Sequence, residues 1–258
     1  YTFDVSNQDI WSTLMHGGCV CVPTDEERLN DLAGAINRMA VNWTFLTPTV
    51  ARLLTPDLVP TLQTLVLGGE AVTKDNVDTW APFVRLLNSY GPAECSICCA
   101  VSELSPSPSP RTRHNDRLQT EAIDPANIGY ALPSAVLWVV HPQNHNILSA
   151  IGAVGELLVE GPILADGYLG NSSLTEAAFI KAPEWASPAG HQRRFYKTGD
   201  LVQYANDGTL RFVGRKDHQV KIHGQRTEPG DIEHHVSGVA AVQHACIILP
   251  QRGHWSQR

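Results

Sequence analysis

Three short apolar runs constrain this chain most: Trp43-Thr-Phe-Leu46, Leu62-Gln-Thr-Leu-Val-Leu67 and Val84-Arg-Leu-Leu87. Each has the length of a strand. The first stops at Thr47-Pro48 and the second at Gly68-Gly69. Helical stretches alternate with them. Residues 25–39 carry Leu29, Leu32, Ile36 and Met39 at the spacing of one helix face, and residues 73–80 begin another helix. Strands alternating with helices predict an α/β fold, a parallel sheet flanked by helices. Ligands of such sheets sit beyond the carboxyl ends of the strands. Phe45, Gly68 and Ser89 fall at or near those ends. Upstream, residues 9–15 read as a helix with Asn7 as its cap and Gly17-Gly18 as its end. Cys19-Val-Cys-Val-Pro23 reads as a short buried strand.

The texture changes after Ser105-Pro-Ser-Pro-Ser-Pro110, which with the basic-polar run to Asn115 reads as a mobile loop. Beyond it, Ala135-Val-Leu-Trp-Val-Val140, Gly155-Glu-Leu-Leu-Val-Glu160 and Leu210-Arg-Phe-Val213 are strands separated by turns, with a helix at 174–179. That pattern predicts a small, mostly antiparallel, β-barrel-like subdomain. From Asp217 a third, α+β region begins: a strand to His223, a helix opened by Asp231-Ile-Glu233, then Ala245-Cys-Ile-Ile-Leu249. The expected division is 1–120, 121–216 and 217–258, and no internal repeat interrupts it.

Composition closes off several classes. With 258 residues, 43% hydrophobic and 17% charged, the chain is globular rather than disordered. A net charge of -7 argues against a nucleic-acid footprint, which would be basic. No apolar run reaches the length of a membrane span. Cys95-x-x-Cys98-Cys99 has half the form of a zinc site, yet Cys19-x-Cys21 lacks the ribbon spacing. The 6 cysteines therefore read as small buried thiols of a reduced, cytoplasmic protein. His141 and His145 flank Pro142 and so share no helix face, and His234-His235 reads as a solvated helix pair.

Two late blocks carry the chemistry. Phe195-Tyr-Lys-Thr-Gly-Asp-Leu201 puts a carboxylate, Asp200, straight after a glycine, where it can accept two hydrogen bonds from a sugar diol. Gly214-Arg-Lys-Asp-His-Gln-Val-Lys-Ile-His-Gly224 places Arg215 and Asp217 just before an alternating run, at a chain reversal suited to a ligand contact or a hinge. A polar turn between strands is the plain reading of Thr-Gly-Asp alone. The second block a few residues later weighs against it.

These blocks resemble the late core motifs of the adenylate-forming superfamily, and more narrowly the amino-acid adenylation domains of nonribosomal peptide synthetases. Three more agree in the expected order: Tyr1-Thr-Phe-Asp-Val-Ser-Asn-Gln-Asp-Ile-Trp11, Asn88-Ser-Tyr-Gly-Pro-Ala-Glu94, and Gly155-Glu-Leu-Leu-Val-Glu-Gly161 continuing to Gly167-Tyr-Leu-Gly170. The resemblance spans nearly the whole chain, which itself matches roughly half of such a domain. It implies attack of a carboxylate on the α-phosphate of ATP, giving an acyl-adenylate and pyrophosphate, with magnesium (Mg2+) and donors neutralising phosphate charge. The product is then loaded on the phosphopantetheine of a peptidyl carrier domain beside a condensation domain of the parent synthetase.

Carried over position by position, the resemblance makes Glu94 the magnesium ligand and Tyr90 the neighbour of the nucleotide, both turned inward by Gly91-Pro92. It makes Asp200 the ligand of the ribose hydroxyls, Arg215 a contact near ribose and phosphate, Asp217 the hinge, and Lys221 the lysine of the thioester-forming arrangement. Asp4 meets the α-ammonium of an amino acid, a charge-assisted contact that acyl-CoA and fatty-acyl ligases do not need. The competing reading makes Asp4 a helix cap. Val5, Gln8, Phe45, Val66, Gly68, Ser89, Ile97 and Cys98 then line the side-chain pocket.

Three positions depart from the family pattern. Ala93 replaces a threonine whose hydroxyl contacts the α-phosphate, a bond worth about 1.5–3 kcal/mol. Either activity is weaker, or Ser96 or a backbone N–H substitutes. His223 replaces an arginine and Pro229 a leucine, both after the hinge. The family's phosphate-binding loop belongs before Tyr1 and its Asn-Gly-Lys lysine after Arg258, so the resemblance implies a chain incomplete at both ends that turns over poorly alone. The alternatives are an acyl-CoA or fatty-acyl ligase, which Asp4 disfavours, and a non-catalytic nucleotide-binding remnant, which Ala93 and His223 favour.

Overall fold

The computed structural model describes residues 3–105, 123–186, 193–217, 220–222, 225–227, 229–239, 242 and 247. The expected loop at 106–115, the segment 245–249 apart from Ile247, and His223 lie outside the described residues.

The chain opens with α1 (Val5–Met15), α2 (Asp25–Asn30) and α3 (Leu32–Arg38). The first helix starts earlier than its sequence implies. Asn7 lies inside it, and Asp4 holds the N-cap position without a side-chain hydrogen bond to the helix. Residues 25–39 are not one helix. Asp31 breaks them at φ -149°, and its carboxylate instead accepts from Gly34 N at 2.9 Å, capping α3. The expected buried strand at 19–23 is also absent: the stretch has no strand partner among the described residues, and Cys19 and Val22 are exposed. Trp11 and Met15 are exposed on α1.

The parallel layer follows as β1 (Trp43–Leu46), α4 (Pro48–Ala51), β2 (Thr64–Gly68), α5 (Lys74–Trp80) and β3 (Arg85–Tyr90). β1 pairs with β2 and β2 with β3, all in parallel. Thr73 and Asn76 form a capping box that starts α5. Trp80, Leu65, Leu67 and Leu86, all fully buried, fill the core between these strands and their helices. That burial is the main driving term for the layer.

From β4 (Ala100–Glu103) onward the pairing is antiparallel. β5 (Asn127–Ala131), β6 (Val136–His141), β7 (Asn144–Leu148) and β8 (Val154–Glu160) precede α6 (Ser172–Ala178). Then come β9 (Phe179–Lys181), β10 (Arg194–Tyr204) and β11 (Leu210–Arg215). All of these join one 11-stranded sheet in the order β1-β2-β3-β4-β5-β11-β10-β8-β6-β7, with β9 beside β10. The antiparallel part is therefore an open continuation of the parallel part. The barrel-like expectation fails because, among the described residues, β7 pairs only with β6 and no strand returns to close the sheet. Asn88 helps weld the two parts: its buried side-chain amide donates to Asn127 O at 2.8 Å. Last come a hairpin, β12 (Val220–Ile222) and β13 (Gln225–Thr227), and α7 (Pro229–Ser237).

Candidate functional site

The parallel register sets the first group of side chains. Phe45 is opposite Val66, and Gly68 is opposite Ser89, at the carboxyl ends of β1, β2 and β3. The approach is close: a Cβ on Gly68 would stand 2.5 Å from Phe45 Cζ and 2.8 Å from Ser89 O. Only glycine fits between that ring and that backbone. Ser89 Oγ donates to Cys98 Sγ at 2.8 Å, which brings the Cys98 end of the next turn to the same place. Burial raises the Cys98 thiol above its ordinary pKa, keeping it protonated at neutral pH. Ile97, one residue earlier, has φ +81°. A β-branched residue there is a strained one, of the kind that clusters at ligand sites. Phe45, Val66, Gly68, Ser89, Ile97 and Cys98 thus share one end of the sheet. Val5 and Gln8 lie on α1, with Val5 buried and Asp4 at the helix start. No described hydrogen bond ties these three to the Phe45 group.

A second group forms where β3 leaves the sheet. Tyr90 ends β3, and the chain turns through Gly91-Pro92 into a 3-10 turn, Ala93–Cys95. Tyr90 OH donates a short hydrogen bond to Asp200 Oδ2. Burial, then the charge of Asp200, pushes the Tyr90 phenol well above its ordinary pKa, so it stays a donor. Asp200 is only 7% exposed, and its other oxygen, Oδ1, accepts from Arg215 Nη1 at 2.9 Å. Arg215 also grips Asp217 with both arms: Nε to Oδ1 at 2.8 Å and Nη2 to Oδ2 at 2.6 Å. Gly199, at φ +71°, lets the chain bend between Thr198 and Asp200, and a Cβ there would come within 3.0 Å of Arg215 Nη2. Asp217, Arg215, Asp200 and Tyr90 are therefore one hydrogen-bonded chain.

Glu94 lies in the turn after Tyr90 and is 9% exposed. Tyr168 OH donates to its Oε1 at 2.6 Å, and Tyr196 OH stands 3.4 Å from Tyr168 OH. Burial, then the Glu94 charge, raises the Tyr196 phenol, so this group also remains a proton donor. Ser96 Oγ donates to Ile163 O at 2.8 Å, so its proton is already committed to backbone. Ala93 is exposed beside it. Lys221 falls on β12, and its side chain lies outside the described residues.

Sequence reasoning missed three groups here. Tyr168 was visible only as part of Gly167-Tyr-Leu-Gly170, with no sign that it reaches Glu94. Lys216 Nζ lies 3.0 Å from Glu156 Oε2, and Glu156 is 4% exposed, so the residue before Asp217 is fixed to β8. Thr198 Oγ1 donates to Leu157 O at 2.8 Å and accepts from Asp200 N at 3.0 Å. The glutamate sits in the quoted Gly155-Glu block, yet only the β8–β10–β11 pairing shows whom it meets. A cleft of about 390 Å³ opens along these groups, lined by Tyr168, Tyr196, Thr198, Arg215, Lys216 and Asp217 among others.

A hard carboxylate oxygen such as that of Glu94 suits Mg2+. Among the described residues no group of three or more His, Cys, Asp or Glu forms a metal cage. The donor set thus fits an ion carried in by phosphates and met by one carboxylate, the usual mode of Mg2+.

Comparison with known proteins gives a consistent result. The family model described as AMP-binding enzyme matches residues 1–169. Nonribosomal peptide synthetase 1 of Aspergillus fumigatus is 47% identical over 256 residues, 98% of this chain. The chain spans only 4% of that protein's length. Among solved structures, the Vibrio cholerae adenylation domain AlmE, in complex with glycyl-adenosine-5'-phosphate, is similar with a TM-score of 0.77 and 29% identity, over 96% of this chain and 45% of that one. Holo-PA1221, an NRPS protein containing adenylation and PCP domains, is similar with a TM-score of 0.78 and 26% identity, over 97% of this chain and 42% of that one.

Proposed function

This chain belongs to the AMP-binding enzyme family, and we propose that it is part of an amino-acid-activating adenylation domain of a nonribosomal peptide synthetase. The observation that carries the reading is the meeting of Tyr90, Asp200 and Arg215 at one buried carboxylate, although 110 residues separate the first two. A sugar diol suits that carboxylate, because an ionised carboxylate is acceptor-only and offers about four lone-pair sites.

In this reading Asp200 takes the ribose hydroxyls, Tyr90 borders the nucleotide, and Arg215 balances charge near ribose and phosphate. Glu94 would hold Mg2+, which when bound neutralises the charge that develops on the phosphates. Asp4 takes the α-ammonium of the amino acid; its carboxylate is not used to cap α1, which favours the ligand role over the cap. Val5, Gln8, Phe45, Val66, Gly68, Ser89, Ile97 and Cys98 shape the side-chain pocket. Positioning the two reactants is the main contribution of such a site.

Asp217 serves as the hinge between the body, residues 1–216, and the segment 217–258. The body divides in turn at residue 120. The Lys216–Glu156 pair anchors the chain on the body side of that hinge. Lys221, on the far side, acts in the thioester-forming arrangement with the phosphopantetheine of a carrier domain. The similarity to holo-PA1221, an NRPS protein containing adenylation and PCP domains, supports that partner; a condensation domain completes the set. The enzyme works in the cytoplasm, where ATP is supplied. Among the described residues no helix is long and apolar enough to cross a membrane.

The direct test is amino-acid-dependent ATP–pyrophosphate exchange by the full-length protein. Exchange that needs one amino acid and Mg2+ supports the reading. Absence of exchange with every proteinogenic amino acid, together with no ATP binding, rejects it.

A further inference from the structure

The turn that carries Glu94 is met by a loop from across the sheet. Residues 161–168 leave β8 and meet the turn at three points. Ser96 Oγ donates to Ile163 O at 2.8 Å, Ala165 N donates to Glu94 O at 2.9 Å, and Tyr168 OH donates to Glu94 Oε1 at 2.6 Å. The loop is fastened from behind as well. Arg194 donates from Nη1 to Ala165 O at 2.6 Å and from Nη2 to Asp166 O at 2.5 Å. Tyr168 N donates to Thr175 Oγ1 on α6 at 2.9 Å. The Tyr168 ring packs edge-on against Phe179, centroids 5.8 Å apart. Backbone and ring are thus both fixed, and the phenol has one direction in which to point.

A glutamate has three rotatable side-chain bonds, and holding it in one arrangement costs entropy. Here the arrangement is set before any ligand arrives. We propose that Tyr168 is a positioning residue, whose hydroxyl orients the Glu94 carboxylate toward an incoming Mg2+–nucleotide complex. The proposal rests on the reading of Glu94 as the residue that meets Mg2+. An ionised carboxylate accepts at both of its oxygens, and a hydroxyl that donates to one of them sets the plane in which the group faces a cation. Partners that orient a metal-binding carboxylate are worth about 10–100-fold in metal affinity. Tyr196, 3.4 Å from the Tyr168 hydroxyl, is also hydrogen-bonded to Glu94 and supports the same carboxylate.

The experiment is calorimetric binding of α,β-methylene-ATP to the full-length protein, across a series of Mg2+ concentrations and in EDTA. Tyr168→Phe keeps the ring and removes the donor. The Mg2+ concentration for half-maximal enhancement should rise about 10-fold, while affinity in EDTA stays within about 2-fold of wild type. Thr175→Val, which loosens the Tyr168 backbone, should shift the same quantity in the same direction by a smaller factor. Glu94→Gln should abolish the Mg2+ dependence. If Glu94→Gln abolishes it and both other variants leave it unmoved, the positioning role is overturned and Tyr168 is only structural. If Glu94→Gln also leaves it unmoved, the reading of Glu94 falls and the proposal falls with it.

Discussion

Asp200 and Arg215 are cross-strand partners on β10 and β11, and Arg215 Nη1 reaches Asp200 Oδ1 at 2.9 Å. The sheet register therefore builds the contact. The same guanidinium holds Asp217, so the proposed ribose ligand and the proposed hinge residue are linked through one side chain.

Asp200→Ala should weaken ATP binding at least about 10-fold, since two hydrogen bonds to a charged acceptor are lost. Amino-acid binding should change little, and Arg215 should keep its two-armed grip on Asp217. Calorimetric titrations of the full-length variant with ATP and with the amino acid check this; equal ATP affinity refutes the assignment.

Gly68→Ala should both destabilise the fold and narrow the pocket. The new Cβ collides with Phe45 Cζ and, less avoidably, with the backbone oxygen of Ser89. Overpacking of this kind costs about 1–3 kcal/mol. Thermal unfolding should show the loss, and pyrophosphate exchange should shift toward smaller amino acids.

The preferred amino acid should have a neutral, fairly large side chain. Phe45, Val5, Val66 and Ile97 supply apolar wall, and of the proposed lining only Asp4 is charged. One methylene alters selectivity by only about 1–3 kcal/mol, so relatives of the true substrate should be activated too. A screen that ranks Asp, Glu, Lys or Arg first contradicts this.

Asp9 should give the fold a measurable acid dependence. It is half-buried on α1, its Oδ1 is without a hydrogen-bond partner among the described residues, and burial raises its pKa from 3.8 to about 6. The folded value lies above the unfolded one, so the folded chain binds the proton more tightly. That stability is fully present below about 4 and is lost as pH rises through about 6. Asp9→Asn should flatten this fall and stabilise the protein at pH 7 by about 1 kcal/mol, less than the whole shift implies because water screens the half-exposed group. Urea midpoints across the acid range decide it; parallel curves for wild type and variant exclude the effect.

Much of this was legible in the sequence where the code is local. Trp43–Leu46 is a strand with the expected ends, because apolar β-formers run into Thr47-Pro48. The blocks around Tyr90, Asp200 and Arg215 do meet. Local reading failed where a single polar side chain or a missing partner decided. Asp31 carries acceptable helix spacing around it, yet its carboxylate finds Gly34 N and splits the helix. The apolar 19–23 run has strand composition but no strand to pair with among the described residues. Tyr168 and Glu156 were beyond reach for a different cause: their partners lie 74 and 60 positions away, and only the sheet order brings them together.

The seam between β4 and β5 has a mechanical consequence. Ala100 pairs with Ala131 and Val101 with Tyr130, and the Asn88 amide crosses to Asn127 O on the same line. The parallel layer and the antiparallel layer are therefore rungs of one ladder. Heat or denaturant that melts the first strips the second of a bonded edge and opens β5 to water, so the two should lose amide protection together.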